Sequence, residues 1–113
     1  MALTIWHNPR CSKSRETLAL LEARGLAPVV RLYLSDPPRR DEIAAALAKL
    51  GRPAADLLRW KEAEVPAGLT RAAPEAAILD ALAAQPKLIE RPLVITETAA
   101  RLGRPPESVL DIL

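Results

Sequence analysis

The sequence predicts an α/β domain: a small mixed sheet of four short strands, flanked by helices, with a helical insertion between the second and third strands. Three observations carry that prediction. The chain opens on a strand–helix–strand run of the length that a right-handed parallel crossover needs. Its middle, from about residue 37 to 88, has helical periodicity broken by proline and glycine. Near the end, two short β-prone runs flank Glu97-Thr98, which reads as the turn of a hairpin. A length of 113 residues fits one domain with one core. No repeat, low-complexity stretch or change of composition marks a second domain over residues 1–113.

Each element has its own signal. Leu3-Thr4-Ile5-Trp6 is apolar and β-prone, and makes the first strand. Ser12 to Arg24 reads as a helix with Leu18 and Leu21 facing inward, ended by Gly25. Val29 to Leu34 forms the second strand, stopped by Ser35-Asp36-Pro37-Pro38. From Arg39 to Leu50, residues Ile43, Ala46, Leu47 and Leu50 fall at i, i+3, i+4 and i+7, and Gly51 closes that helix. Pro53 to Arg59 reads as a short helix with proline in its first turn, and Lys61 to Arg71 as a loop. Pro74 opens a helix with Ile78, Leu79 and Leu82 on one face, ending before Pro86. Leu93 to Thr96 and Ala99 to Leu102 supply the last two strands. Pro105 to Leu113 reads as a closing helix with both prolines in its first turn.

Composition excludes several functions. Half the residues are hydrophobic, yet aromatics are 3% and phenylalanine is absent, so the core is built from Leu, Ile, Val and Ala. A net charge of +2 is a small surplus, and no aromatics interleave a basic stripe, so no nucleic-acid partner is expected. No apolar run approaches the ~18–20 residues that span a bilayer, and no signal-peptide pattern opens the chain, so no membrane partner and a reducing cytoplasm are expected. One cysteine and one histidine exclude an internal disulfide and disfavour a metal site. No bound cofactor is implied, and the chain is expected to act as a monomer.

The chemistry concentrates at that lone cysteine, Cys11, in His7-Asn8-Pro9-Arg10-Cys11-Ser12-Lys13-Ser14-Arg15. It stands between the first strand and the first helix, at the positive end of the helix dipole, with Arg10, Lys13, Arg15 and His7 nearby. An ordinary thiol is only ~3% ionised at pH 7, and a shift of ~2 units makes it mostly thiolate for ~2.7 kcal/mol. Helix terminus and neighbouring cations can supply that much. The blander alternative is a buried inert cysteine. Cys11 with Ser14 forms a Cys-x-x-Ser pattern, which closes no disulfide, so an oxidised or adducted Cys11 needs a thiol from outside the chain. Ser14 could donate to the thiolate or be an ordinary first-turn polar residue, and His7 could stabilise the thiolate or be a solvated loop residue.

The run from His7 to Leu18 resembles the active-site segment of arsenate reductases linked to glutaredoxin and glutathione. Glu90-Arg91-Pro92-Leu93-Val94 resembles their second motif, and Ala100-Arg101-Leu102-Gly103-Arg104-Pro105-Pro106-Glu107 with Val109 to Leu113 their third. The likeness covers about Thr4 to Leu113 in the same order. Its Cys-Ser-Lys-Ser run is similar to that of a short chromosomal branch, whereas plasmid-type relatives carry Gly and Thr after the cysteine. The resemblance implies a thioredoxin-like fold and reduction of arsenate to arsenite through a covalent Cys11 adduct. It implies thiolate support from His7 and Ser14, oxyanion binding by Arg59, Arg91 and Arg104, and a cis peptide bond before Pro92. Glutathione or glutaredoxin would be the external reductant. Planar arginine forks suit a tetrahedral oxyanion, although single arginines are commonly solvent-facing. Two other functions stay open: a different thiol-transfer oxidoreductase of this fold, and a non-catalytic regulatory binding module.

Overall fold

The computed structural model describes residues 2–113. Four strands, β1 (Thr4–Trp6), β2 (Val29–Arg31), β3 (Leu93–Ile95) and β4 (Ala100–Leu102), form one sheet in the order β2-β1-β3-β4. β1 runs parallel to β2 and antiparallel to β3, and β3 is antiparallel to β4. Three α-helices accompany them: α1 (Ser12–Ala23), α2 (Arg40–Leu50) and α3 (Glu75–Ala84).

The two-residue period of a strand divides the core in two. Ile5 and Val94 are register partners and point to one face, where they meet Leu21 of α1 and Val109 near the C-terminus. Their neighbours Trp6 and Leu93 point to the other face, into a larger cluster with Ile43 and Leu47 of α2 and Ile78 and Leu82 of α3. The sheet is thus covered on both sides, and the end of β1 and the start of α1 emerge between the layers. Among the described residues no helix is long and apolar enough to cross a membrane.

Three elements depart from expectation. β2 ends at Arg31 rather than Leu34: His7 N–H donates to Arg31 O (2.9 Å) as the last rung, and β1 then leaves the sheet. With no neighbour to pair with, the chain turns at Leu32, and Tyr33 swings inward to 1% exposure while Leu32 and Leu34 stay exposed. Pro53 to Arg59 is not a helix beyond the 3-10 turn Ala54–Asp56. Instead Leu58 pairs antiparallel with Ile89, with Glu90 N–H on Leu57 O (2.7 Å) and Arg59 N–H on Leu88 O (2.8 Å). The closing segment is a 3-10 run, Pro106–Ile112, rather than an α-helix. Pro105 and Pro106 offer no N–H, and Ser108 bonds back three residues to Pro105 O (3.0 Å). A further 3-10 turn, Pro86–Leu88, was not expected.

Gly103 marks a close approach. A Cβ there would lie 2.4 Å from Thr17 Oγ1 and 2.7 Å from Pro92 Cγ. Only glycine lets the end of β4 lie against both α1 and the Pro92 turn. Gly103→Ala is expected to destabilise the fold by about 1–3 kcal/mol through overpacking, read as a lowered urea midpoint.

Glu42 ties β2 to α2. Its carboxylate accepts from the Arg39 N–H (2.9 Å) at the start of α2 and pairs with the Arg31 guanidinium. The Arg31 hydrogen bond, then the Arg39 amide, hold its pKa down to about 2. A depressed carboxylate gives stability that is complete above its unfolded value and is lost as pH falls through the folded one. Glu42→Gln is therefore expected to flatten the decline in stability between about pH 4.5 and about pH 2, measured by urea unfolding at successive pH values.

Candidate active site

The loop leaving β1 folds on itself before α1 begins. Asn8 O accepts the Cys11 N–H (3.0 Å), and Asn8 Oδ1 accepts the Arg10 N–H (3.0 Å). This Asx-type turn sets Cys11 as the N-cap of α1, in extended conformation, with its carbonyl accepting the Arg15 N–H (3.0 Å). Arg15 Nη1 also reaches back to Pro9 O (3.0 Å), clamping the loop. Cys11 is 8% exposed.

Burial of the Cys11 thiol favours its neutral form. The Ser14 amide, the Arg91 charge, the Lys13 amide and the Arg104 charge act against that, and the net result is a pKa below the ordinary value. Arg104 Nη2 lies 3.8 Å from Cys11 Sγ. The Cys11 side chain forms no full capping hydrogen bond to the first turn of α1. Its thiolate is the form that the exposed amides of the α1 terminus favour.

Ser14 serves this site through its amide. Its buried hydroxyl is engaged elsewhere: Oγ accepts the Asn8 N–H (3.0 Å) and lies 2.6 Å from His7 Nδ1. His7 is buried, and burial followed by the Arg15 charge lowers its pKa, so it is neutral at pH 7. A neutral imidazole bonded to Ser14 braces the loop rather than lending positive charge to the sulfur.

Arg91 and Arg104 are drawn together by the β3–β4 pairing and its flanks. Gly103 N–H donates to Pro92 O (2.9 Å), and Arg104 Nε donates to Arg91 O (2.9 Å). The Arg91–Pro92 and Arg104–Pro105 peptide bonds are both cis. Arg59 arrives by a different route, through the Leu58–Ile89 pairing. Its guanidinium donates to Lys87 O (3.2 Å) and pairs with Glu62 (3.3 Å). All three arginines line one groove of about 660 Å³, together with Glu90 and Trp60. Trp60 packs on the core, donates its indole N–H to Ala55 O (2.9 Å) and carries the Arg71 guanidinium 5.9 Å from its ring centre. Lys13 is paired with Glu16 on the exposed side of α1 (3.6 Å).

The sequence matches the ArsC family over residues 6–112. This chain belongs to the ArsC family. It is 42% identical to an arsenate reductase of Haemophilus influenzae, with 100% of both chains covered. Against an arsenate reductase of Rhizobium meliloti it is again 42% identical, covering 100% of this chain and 82% of that one. Its structure superposes on that of an arsenate reductase from Vibrio cholerae with a TM-score of 0.90 at 44% identity, covering 100% of this chain and 98% of the other. The architecture is the thioredoxin-like fold of ArsC proteins.

Two residues of this ArsC site escape sequence reasoning. Tyr33 is fully buried, and burial raises its pKa against the opposing charges of Arg91 and Arg59 and a hydrogen bond from Asn8. It therefore stands behind the same cluster as Cys11. As the sole tyrosine in an apolar run, it carried no signal separating it from core. Glu90 stands beside Arg91 in the Glu90-Arg91-Pro92 run, but its pairing with Arg104 depends on tertiary structure.

Alkylation of Cys11 by iodoacetamide is expected to rise through a midpoint below the ordinary thiol value of about 8.5. Arg104→Ala should move that midpoint upward, because a charge favouring the thiolate is gone. A midpoint unchanged by the substitution would contradict the role given to Arg104.

Proposed function

We propose that this ArsC protein reduces arsenate to arsenite through a covalent adduct on Cys11, resolved by glutathione or glutaredoxin. The carrying observation is the pairing of a lowered thiol pKa at the α1 terminus with a guanidinium 3.8 Å from the sulfur. A nucleophile and an oxyanion receptor then share one spot. The arsenate reductases among its relatives support the choice of substrate.

Arsenate docks against the free amides of α1 and the forks of Arg91 and Arg104, with Arg59 along the same groove. The Cys11 thiolate attacks arsenic, forming the S–As bond, and one arsenate oxygen leaves as water after protonation. An external thiolate then attacks the Cys11 sulfur. The S–As bond breaks with its electron pair on arsenic, which departs as arsenite, and a mixed disulfide remains. A second external thiol releases Cys11. This chain has no other cysteine to perform that step, so turnover draws on the thiol pool of a reducing compartment.

The test is arsenate-dependent oxidation of NADPH in a coupled assay with glutathione, glutaredoxin and glutathione reductase. Turnover is expected, and Cys11→Ser should reduce it to background. Arg104→Lys keeps the charge but loses the fork, and should lower kcat/KM about 10- to 100-fold. No turnover with active coupling components would overturn the arsenate assignment.

A further inference from the structure

We infer that Glu90 is a resident counter-anion of the oxyanion site, displaced by a multiply charged oxyanion and not by a singly charged anion. This rests on the reading that Arg91 and Arg104 hold the substrate. One carboxylate oxygen, Glu90 Oε1, lies 3.1 Å from Arg104 Nε and 3.4 Å from Arg91 Nη1, and accepts the Arg91 N–H (3.3 Å). A single internal oxygen is therefore ion-paired with both guanidinium groups, although the Arg104 Nε–H itself is donated to Arg91 O. The pairing leaves donors unused: among the described residues, Arg91 Nε is buried without a partner. An oxyanion with three or four oxygens can use donor capacity that this carboxylate leaves unfilled.

Charge explains why the carboxylate matters. Once Cys11 ionises, its thiolate and Glu90 together balance the two guanidinium charges. Elsewhere in the groove Arg59 is already paired with Glu62, and Arg52 and Arg71 with Asp56. At the sulfur the amides of the α1 terminus are then the remaining attraction for an anion, until the Glu90 carboxylate moves away and frees the guanidinium charges. The Glu90 side chain is 25% exposed and borders the open groove, so it has room to swing. Its backbone stays fixed by Glu90 N–H on Leu57 O (2.7 Å). A chloride ion offers the arginines no more charge than Glu90 already does. A dianionic hydrogen phosphate or hydrogen arsenate offers twice as much. Glu90 thus sets a charge threshold for the site and keeps it free of abundant monoanions.

The experiment measures protection of Cys11 from iodoacetamide by phosphate, which thiols do not reduce, and by chloride. Glu90→Gln is expected to tighten phosphate protection about tenfold, as removal of one like charge beside a bound anion should. It should also let chloride protect, whereas Glu90→Asp stays close to the unsubstituted protein. A brace that merely positions the arginines predicts the reverse, so weaker or unchanged protection in Glu90→Gln would overturn the inference. A second measurement needs no variant. The Glu90 carboxyl carbon signal in ¹³C NMR should shift at saturating phosphate, and a signal that stays put would also overturn it. If phosphate protects neither protein, the oxyanion site and the inference fall together. If phosphate behaves as expected while the coupled assay shows no arsenate turnover, only the substrate assignment fails.

Discussion

Burial opposes the ionisation of Cys11, and the α1 amides with two guanidinium groups oppose burial. The second set prevails, and the surrounding structure is what allows it to. Water would screen the arginines and weaken their hold on the sulfur, so the thiol has to be nearly enclosed. Enclosure alone would leave a neutral thiol, so the helix terminus has to point at it. Both conditions are met because β1 is an interior strand of the sheet, with its end covered from both sides. The loop that follows is tied by Asn8, Ser14 and Arg15 before α1 starts.

The arginines reach that point by separate means. Arg91 and Arg104 sit at the same end of the β3–β4 pair and share backbone contacts across Pro92 and Gly103. The absence of a side chain at Gly103 is what permits this, since α1 and Pro92 fill the space beside it. Arg59 is carried in by the Leu58–Ile89 rung and held by Lys87 and Glu62. Its place is on the wall of the groove that Arg91 and Arg104 also line.

Much of this was legible in the sequence, for reasons that are local. The apolar spacing of Ile43, Ala46, Leu47 and Leu50 determines which face of α2 is buried, and those four residues are buried. Cys11 at the strand–helix junction is a matter of neighbours along the chain. What stayed hidden depends on distant partners. Leu57 to Arg59 carry nothing that announces a rung with Ile89, so proline and helix-forming residues pointed to a helix instead. The inward turn of Tyr33 follows from β2 stopping at Arg31, three residues short of the end of its apolar run, where β1 has left the sheet. The engagement of the Ser14 hydroxyl by His7 and Asn8 needs the folded loop.

The Leu58–Ile89 rung also divides the labour of the molecule. Because it fastens the chain on either side of residues 59–88, that stretch departs from the catalytic region and returns to the same place. Within it, α3 answers to the core, through Ile78 and Leu82. The bends between residues 61 and 73 are held more lightly: Val65, Leu69 and Ala73 pack on the core, Glu62 pairs with Arg59, and Arg71 lies over Trp60. Because both ends of the span are fixed at the rung, evolution or an engineer can lengthen or decorate its exposed tip at residues 66–68, which lies outside the groove lining, without moving the backbones that carry the arginines.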